Sequence, residues 1–203
     1  MQILRALIVA VLFALAFTFA AAQEKTMKEM AHKKSAPSDA AYIAKALSAA
    51  PSAVGKEAGV VRFGKDGDMQ TLRESKNGFN CGIMARNIMC ADANSMAFFD
   101  AMMKHQNPPD KLGMTYMLRG DQGASNTDPS ATKKTADNHW VVTGPHIMIV
   151  GPGSKSLGLP ETADADPSRP YMMWPGTPYE HAMIPVAGNT AAKAMAKGEE
   201  AKK

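Results

Sequence analysis

The chain has 203 residues, 23 basic and 19 acidic side chains, and a formal charge of +4 at neutral pH. So small and scattered an excess excludes the basic stripe with interleaved aromatics by which nucleic acid is held. The apolar fraction of 45% is that of a globular domain rather than a disordered or fibrous chain.

Residues 1–22 read as a secretory signal peptide. Arg5 supplies the positive start, Ala6–Phe19 the apolar segment and Ala20-Ala21-Ala22 the small residues, so cleavage is expected before Gln23. The apolar run falls short of the roughly 20 residues that cross a bilayer. No later stretch is long enough either, so no membrane span is expected after cleavage. The remaining 181 residues suit one domain in the periplasm or secreted medium. In an oxidising compartment the two cysteines, Cys81 and Cys90, are expected to pair. Their spacing is not that of a Cys-x-x-Cys redox motif.

Residues 23–37 are polar and aperiodic, and read as a flexible lead-in. A helix is expected over Ser38–Ala50, capped by Ser38, with Tyr42, Ile43, Ala46 and Leu47 on one face and Pro51 ending it. Gly59–Phe63 and Met69–Arg73 then form a hairpin across the turn-rich 64–68 segment. Phe79–Met84 and Asn87–Cys90 form a second hairpin, clamped by the disulfide. Asp92 caps a helix of about 13 residues. Its expected face is Met96, Phe99 and Met103, with Phe98 and Met102 beside it, and Asn107-Pro108-Pro109 ends it.

Gly113–Arg119 alternates, placing Met114, Tyr116 and Leu118 on one face. Two long polar loops, Gly120–Ala136 and Gly151–Pro170, flank the richest apolar stretch, Asp137–Gly151. Trp140–Thr143 and His146–Val150 are expected there as core strands. Tyr171–Trp174 and His181–Val186 close the sheet. Residues 188–203 have no core face and read as a disordered tail. The fold class expected is α+β: a mostly antiparallel sheet with two short helices and one disulfide-clamped hairpin, in a single domain over 38–187.

The residues that can carry chemistry are His139, His146, His181, Asp137, Glu180, Asp121 and Asp128. Positions 146, 148 and 150 share one strand face, as do 181, 183 and 185. If those faces meet, His146 and His181 come together. With His139 and a carboxylate such as Asp137 or Glu180 they make a donor set for zinc or another divalent metal. The same set would serve acid–base chemistry. More often such histidines are hydrogen-bonded structural residues.

The 16 methionines admit two readings. Met27-x-x-Met30-x-His32 has the look of a copper-binding tract, since thioethers are soft donors. Met102, Met103, Met114, Met117, Met148, Met172, Met173 and Met183 read instead as core filler. Gly151–Ser156 lacks phosphate-loop spacing. Asp121–Asp128 is rich in oxygen but lacks calcium-loop spacing, so Asx turns are the simpler reading. No nucleophile elbow or Ser-x-x-Lys motif is present.

Four segments carry a resemblance: Ile43-Ala-Lys-Ala-Leu-Ser-Ala-Ala-Pro51, Ala124-Ser-Asn-Thr-Asp-Pro129, Thr143-Gly-Pro-His-Ile-Met-Ile-Val-Gly151 and Met173-Trp-Pro-Gly-Thr-Pro-Tyr-Glu-His181. Over about residues 40–187 the chain resembles a group of uncharacterised exported bacterial proteins. The resemblance implies bacterial export and one domain, and brings no activity or site. The expected function is therefore a non-enzymatic binding or interaction module, for a small ligand, a metal or an envelope protein. The alternatives are a metal-assisted hydrolase built on the His/carboxylate cluster and a methionine-rich copper-handling envelope protein.

Overall fold

The computed structural model describes residues 38–64 and 68–186. The signal peptide, the lead-in with Met27, Met30 and His32, and the 188–203 tail lie outside them. A compact unit begins at Asp39. Its helices are α1 (Asp39–Leu47), α2 (Ser52–Gly55) and α3 (Ala93–Met103). Its strands are β1 (Gly59–Phe63), β2 (Met69–Arg73), β3 (Asn80–Met84), β4 (Asn87–Ala91), β5 (Gly113–Met117), β6 (Ala124–Ser125), β7 (Trp140–Val141), β8 (His146–Val150), β9 (Tyr171–Met173) and β10 (His181–Pro185). A 3₁₀ segment, Pro152–Leu157, follows β8.

Eight strands form one sheet in the order β2-β1-β3-β4-β5-β8-β10-β9. Every pairing in it is antiparallel except β1 with β3. The expected α+β class, mostly antiparallel, is therefore what forms. The count of two helices is corrected: α1 ends at Leu47, residues 48–50 form turns, and Pro51 then stands as the N-cap of α2, where its missing amide donor costs nothing. A second correction concerns Trp140. Its strand leaves the central sheet and pairs with β6 in a separate two-stranded ribbon, because the Gly144-Pro145 break separates it from β8.

Both faces of the sheet are covered. Tyr42 and Ala46 of α1 pack with Val60, Cys81 and Cys90 on one side, flanked by Tyr116 and Phe79. The Tyr42 hydroxyl donates to the Val61 carbonyl (3.0 Å) and accepts from the Ile83 amide (3.1 Å), tying β1 to β3. On the other side Phe98 and Phe99 of α3 pack with Met89, Met117, Met148, Met173 and Met183. With both faces buried, alternation no longer separates core from solvent. The alternation expected of β5 holds: Gly113, Thr115 and Met117 are the fully buried face, and Met114 and Tyr116 share the other, half-buried one. Tyr116 packs instead against Phe79, on the α1 side, with ring centroids 5.6 Å apart.

The α3 face is also shifted. Phe98, Phe99 and Ala101 are buried while Met103 is 45% exposed, since two aromatic rings have more apolar area to remove from water. Asp92 is the cap as expected, and does more. One carboxylate oxygen accepts from the Ser95 amide (2.8 Å) and the other from the Met114 amide (2.9 Å), binding the helix start to β5. Gly113 lets the strand pass this close: a Cβ there would stand 2.5 Å from the Ser95 nitrogen.

Cys81 and Cys90 are directly paired across β3 and β4 and joined by a disulfide. The turn is two residues, Ala85 and Arg86, both at positive φ (46° and 71°). That geometry matches the twist of the flanking strands, here without the usual glycine or asparagine.

Two outcomes follow. Cys81→Ala/Cys90→Ala should lower unfolding free energy by about 2–3 kcal/mol in urea titration, the chain-entropy value for so short a loop. Asp92→Ala should cost about 2 kcal/mol, more than a cap alone, because the Met114 amide loses its acceptor too.

Candidate functional site

The histidines divide between two places. His146 opens β8 and His181 opens β10, and both are buried. They line one cavity of about 140 Å³ beneath α3, together with Met89, Met117, Met148, Met173 and Met183. His139 lines a separate open cleft of about 550 Å³ with Lys134, Trp140 and Asp164. There its Nδ1 donates to the Asp164 carboxylate at 2.7 Å. Asp137 is exposed in the loop before it. Glu180 faces a third recess with Lys155 and Ser154. Its carboxylate accepts from the Gly176 amide (2.8 Å) and lies 3.6 Å from the Lys155 ammonium. The structure thus brings His146 and His181 to one cavity and leaves His139, Asp137 and Glu180 elsewhere. Among the described residues no group of three or more His, Cys, Asp or Glu is arranged to hold a metal ion.

The strand registers build the cavity floor. Met117 stands directly opposite His146, and Met148 directly opposite Met183. Met173 stands opposite His181. Since side chains two apart share a face, His146, Met148, Met117, Met183, His181 and Met173 all rise from the same side of the sheet. His146 and His181 sit at opposite ends of the β8–β10 ladder, four residues or roughly 13 Å apart along the strands. The two imidazoles therefore enter the cavity from opposite ends of the ladder, near enough for His146 to act electrostatically on His181.

Each buried ring has a fixed tautomer. His146 Nδ1 lies 2.7 Å from the Gly144 carbonyl and His181 Nδ1 lies 2.9 Å from the Tyr179 carbonyl. A carbonyl only accepts, so both Nδ1 atoms carry the proton and both Nε2 atoms carry the lone pair. His146 Nε2 is buried and has no hydrogen-bond partner. Burial holds the His181 imidazole down to about 4. Burial also lowers the His146 imidazole, against the pull of the Asp121 carboxylate. Asp121 is raised, by burial first, with His146 and two backbone amides acting the other way.

Asp121 reaches the cavity because its loop is wound tightly. One carboxylate oxygen accepts from the Gly123 amide (2.9 Å) and the Thr143 amide (3.0 Å). The Ser125 hydroxyl accepts from the Asp128 amide (2.9 Å), and Asp128 from the Ser130 amide (2.8 Å). These are the Asx and Ser turns expected of this segment. The same loop anchors Trp174, whose indole N–H donates to the Ser125 carbonyl at 2.7 Å. Trp174 adopts φ +56° and sets its ring edge-on to His181, 5.0 Å between centroids. The residues that sequence reasoning missed are the methionines. Only the tertiary structure shows that seven of them, Met84 and Met102 included, line the cavity with the histidines.

The protonation states give a pH signature. His181 has a folded value near 4 against an ordinary 6.5, so the unfolded chain binds more protons between these limits. Stability is complete above about pH 6.5 and is lost as the pH falls toward 4. Urea titrations of the metal-free protein should show about 2 kcal/mol lost between pH 7 and pH 5. His181→Leu should flatten that part of the slope.

No protein-family model matches the chain, and no curated protein or solved structure resembles it significantly.

Proposed function

We propose that the protein is an exported, non-enzymatic binding module, and that its ligand, a small molecule or a metal ion, is held in the methionine-lined cavity beneath α3. The observation that carries this reading is His146 Nε2. It is an acceptor buried without a partner at a cavity wall, whereas buried polar atoms are nearly always paired. Of the buried polar atoms left unpartnered among the described residues, it is the one on a residue that lines this cavity, and that supports a site for a guest. The rest of the lining is mostly apolar, with His181, Asp121 and Asn87 as the other polar residues, which suits a pocket that selects through few polar points. Export is supported by the Cys81–Cys90 disulfide, which persists in oxidising compartments, and by the signal-like residues 1–22. The hydrolase alternative draws less support, since it needs His139 and a carboxylate to join the two buried histidines.

The test asks whether the cavity admits a guest at all. An apolar cavity of about 150 Å³ takes up xenon. In full-chain protein labelled at the methionine methyls, xenon should shift Met89, Met117, Met148 and Met183 and leave Met114 unmoved. Unresponsive cavity methionines would refute the reading.

A further inference from the structure

The geometry points to copper(I) as the ligand, bound by His146 Nε2 and the thioethers of Met117 and Met148. This rests on the cavity being a ligand site, and goes beyond it by naming the ion and its donors.

His146 lines the cavity, and its Nε2 keeps an unpartnered lone pair, because its Nδ1–H is committed to the Gly144 carbonyl at 2.7 Å. Metal-binding histidines are oriented by such a hydrogen bond on the other ring nitrogen. Met117 is the cross-strand partner of His146, with Cβ atoms about 5 Å apart in such pairs. Met148 lies two residues along the same strand and face. All three side chains are at least 95% buried, and all line the same cavity. One imidazole and two thioethers from neighbouring positions make a compact donor set.

The chemistry of that set selects the ion. Calcium and magnesium require several oxygen ligands. Zinc is held by thiolates, imidazoles and carboxylates in fours, and no group of three such residues is arranged for it among the described residues. Thioether sulfur and imidazole are soft or borderline donors that favour Cu(I). The donors are also uncharged, so a monovalent ion is the one whose burial they can support. Isolated buried charge is strongly disfavoured, and Asp121 is the acidic group that lines the cavity with His146. Its buried carboxyl interacts electrostatically with His146, and an ion on Nε2 would give it a cationic neighbour.

Full-chain protein is titrated with Cu(I) under anaerobic conditions against a chromogenic Cu(I) chelator. One tightly held equivalent is expected, with sulfur in its X-ray absorption shell and no displacement by zinc. Met117→Leu/Met148→Leu conserves volume and should weaken binding by about tenfold or more. Replacing Met27, Met30 and His32 with leucine should leave the affinity unchanged. His146→Leu should abolish binding. The Met-to-Leu double variant keeps the test decisive if His146→Leu does not fold. Wild-type affinity in the double variant, or loss on replacing the lead-in residues, would overturn the assignment. A protein that admits xenon but binds no Cu(I) sinks this inference and leaves the binding module standing. A protein that admits neither sinks both.

Discussion

The arrangement depends on β8 lying between β5 and β10 in the register observed. That register sets Met117 beside His146 and Met148 beside Met183. A slip of β8 by one residue would turn His146 and Met148 to the opposite face of the sheet. The cavity would then lose one of its two histidines and the thioether beside it. The register is held because β8 is buried on the α3 side at every second position, His146, Met148 and Val150, and because both its neighbours pair with it over nearly its whole length.

Against that frame, the cavity wall is assembled from segments that would not order alone. Trp174 has a left-handed backbone and depends on Ser125 and Asn126 for its hydrogen bonds. Asn126 is fully buried and donates in turn to the Thr162 and Ala163 carbonyls. The two long polar loops are therefore tied to one another and to the tryptophan. Loops this rich in Asp, Ser, Thr and Asn satisfy their own backbone groups through side-chain turns. That frees the apolar side chains to cover the sheet.

Among the described residues, the opposite face of the sheet carries no comparable feature. There the small residues of α1 let the helix lie close on β3 and β4, and the disulfide joins those strands at their directly paired cysteines. Reinforcement is concentrated on the face away from the cavity. The cavity face instead contains a buried acceptor without a partner and a buried carboxyl, both of which oppose folding unless something binds. Functional sites are where such local opposition is expected.

The local elements were legible in the sequence because their determinants lie within a few residues of one another. Asp92 before an apolar run makes a cap, Cys81 and Cys90 flank a turn, and Asn77-Gly78 and Pro108-Pro109 punctuate the chain. Residues near Asp121 make turns wherever they fall. The pairing of His146 with His181 was only half legible: periodicity assigned each a face, but not the four-residue offset between them. What the tertiary structure alone decided was the neighbours. Met117, His146, Met173 and His181 are brought together by strands far apart in the chain, and no spacing encodes that. Methionine itself hides the site, since the same thioether fills a core or binds a soft ion. Only the company it keeps in three dimensions, here a buried imidazole with an unpartnered Nε2, bears on the choice between them.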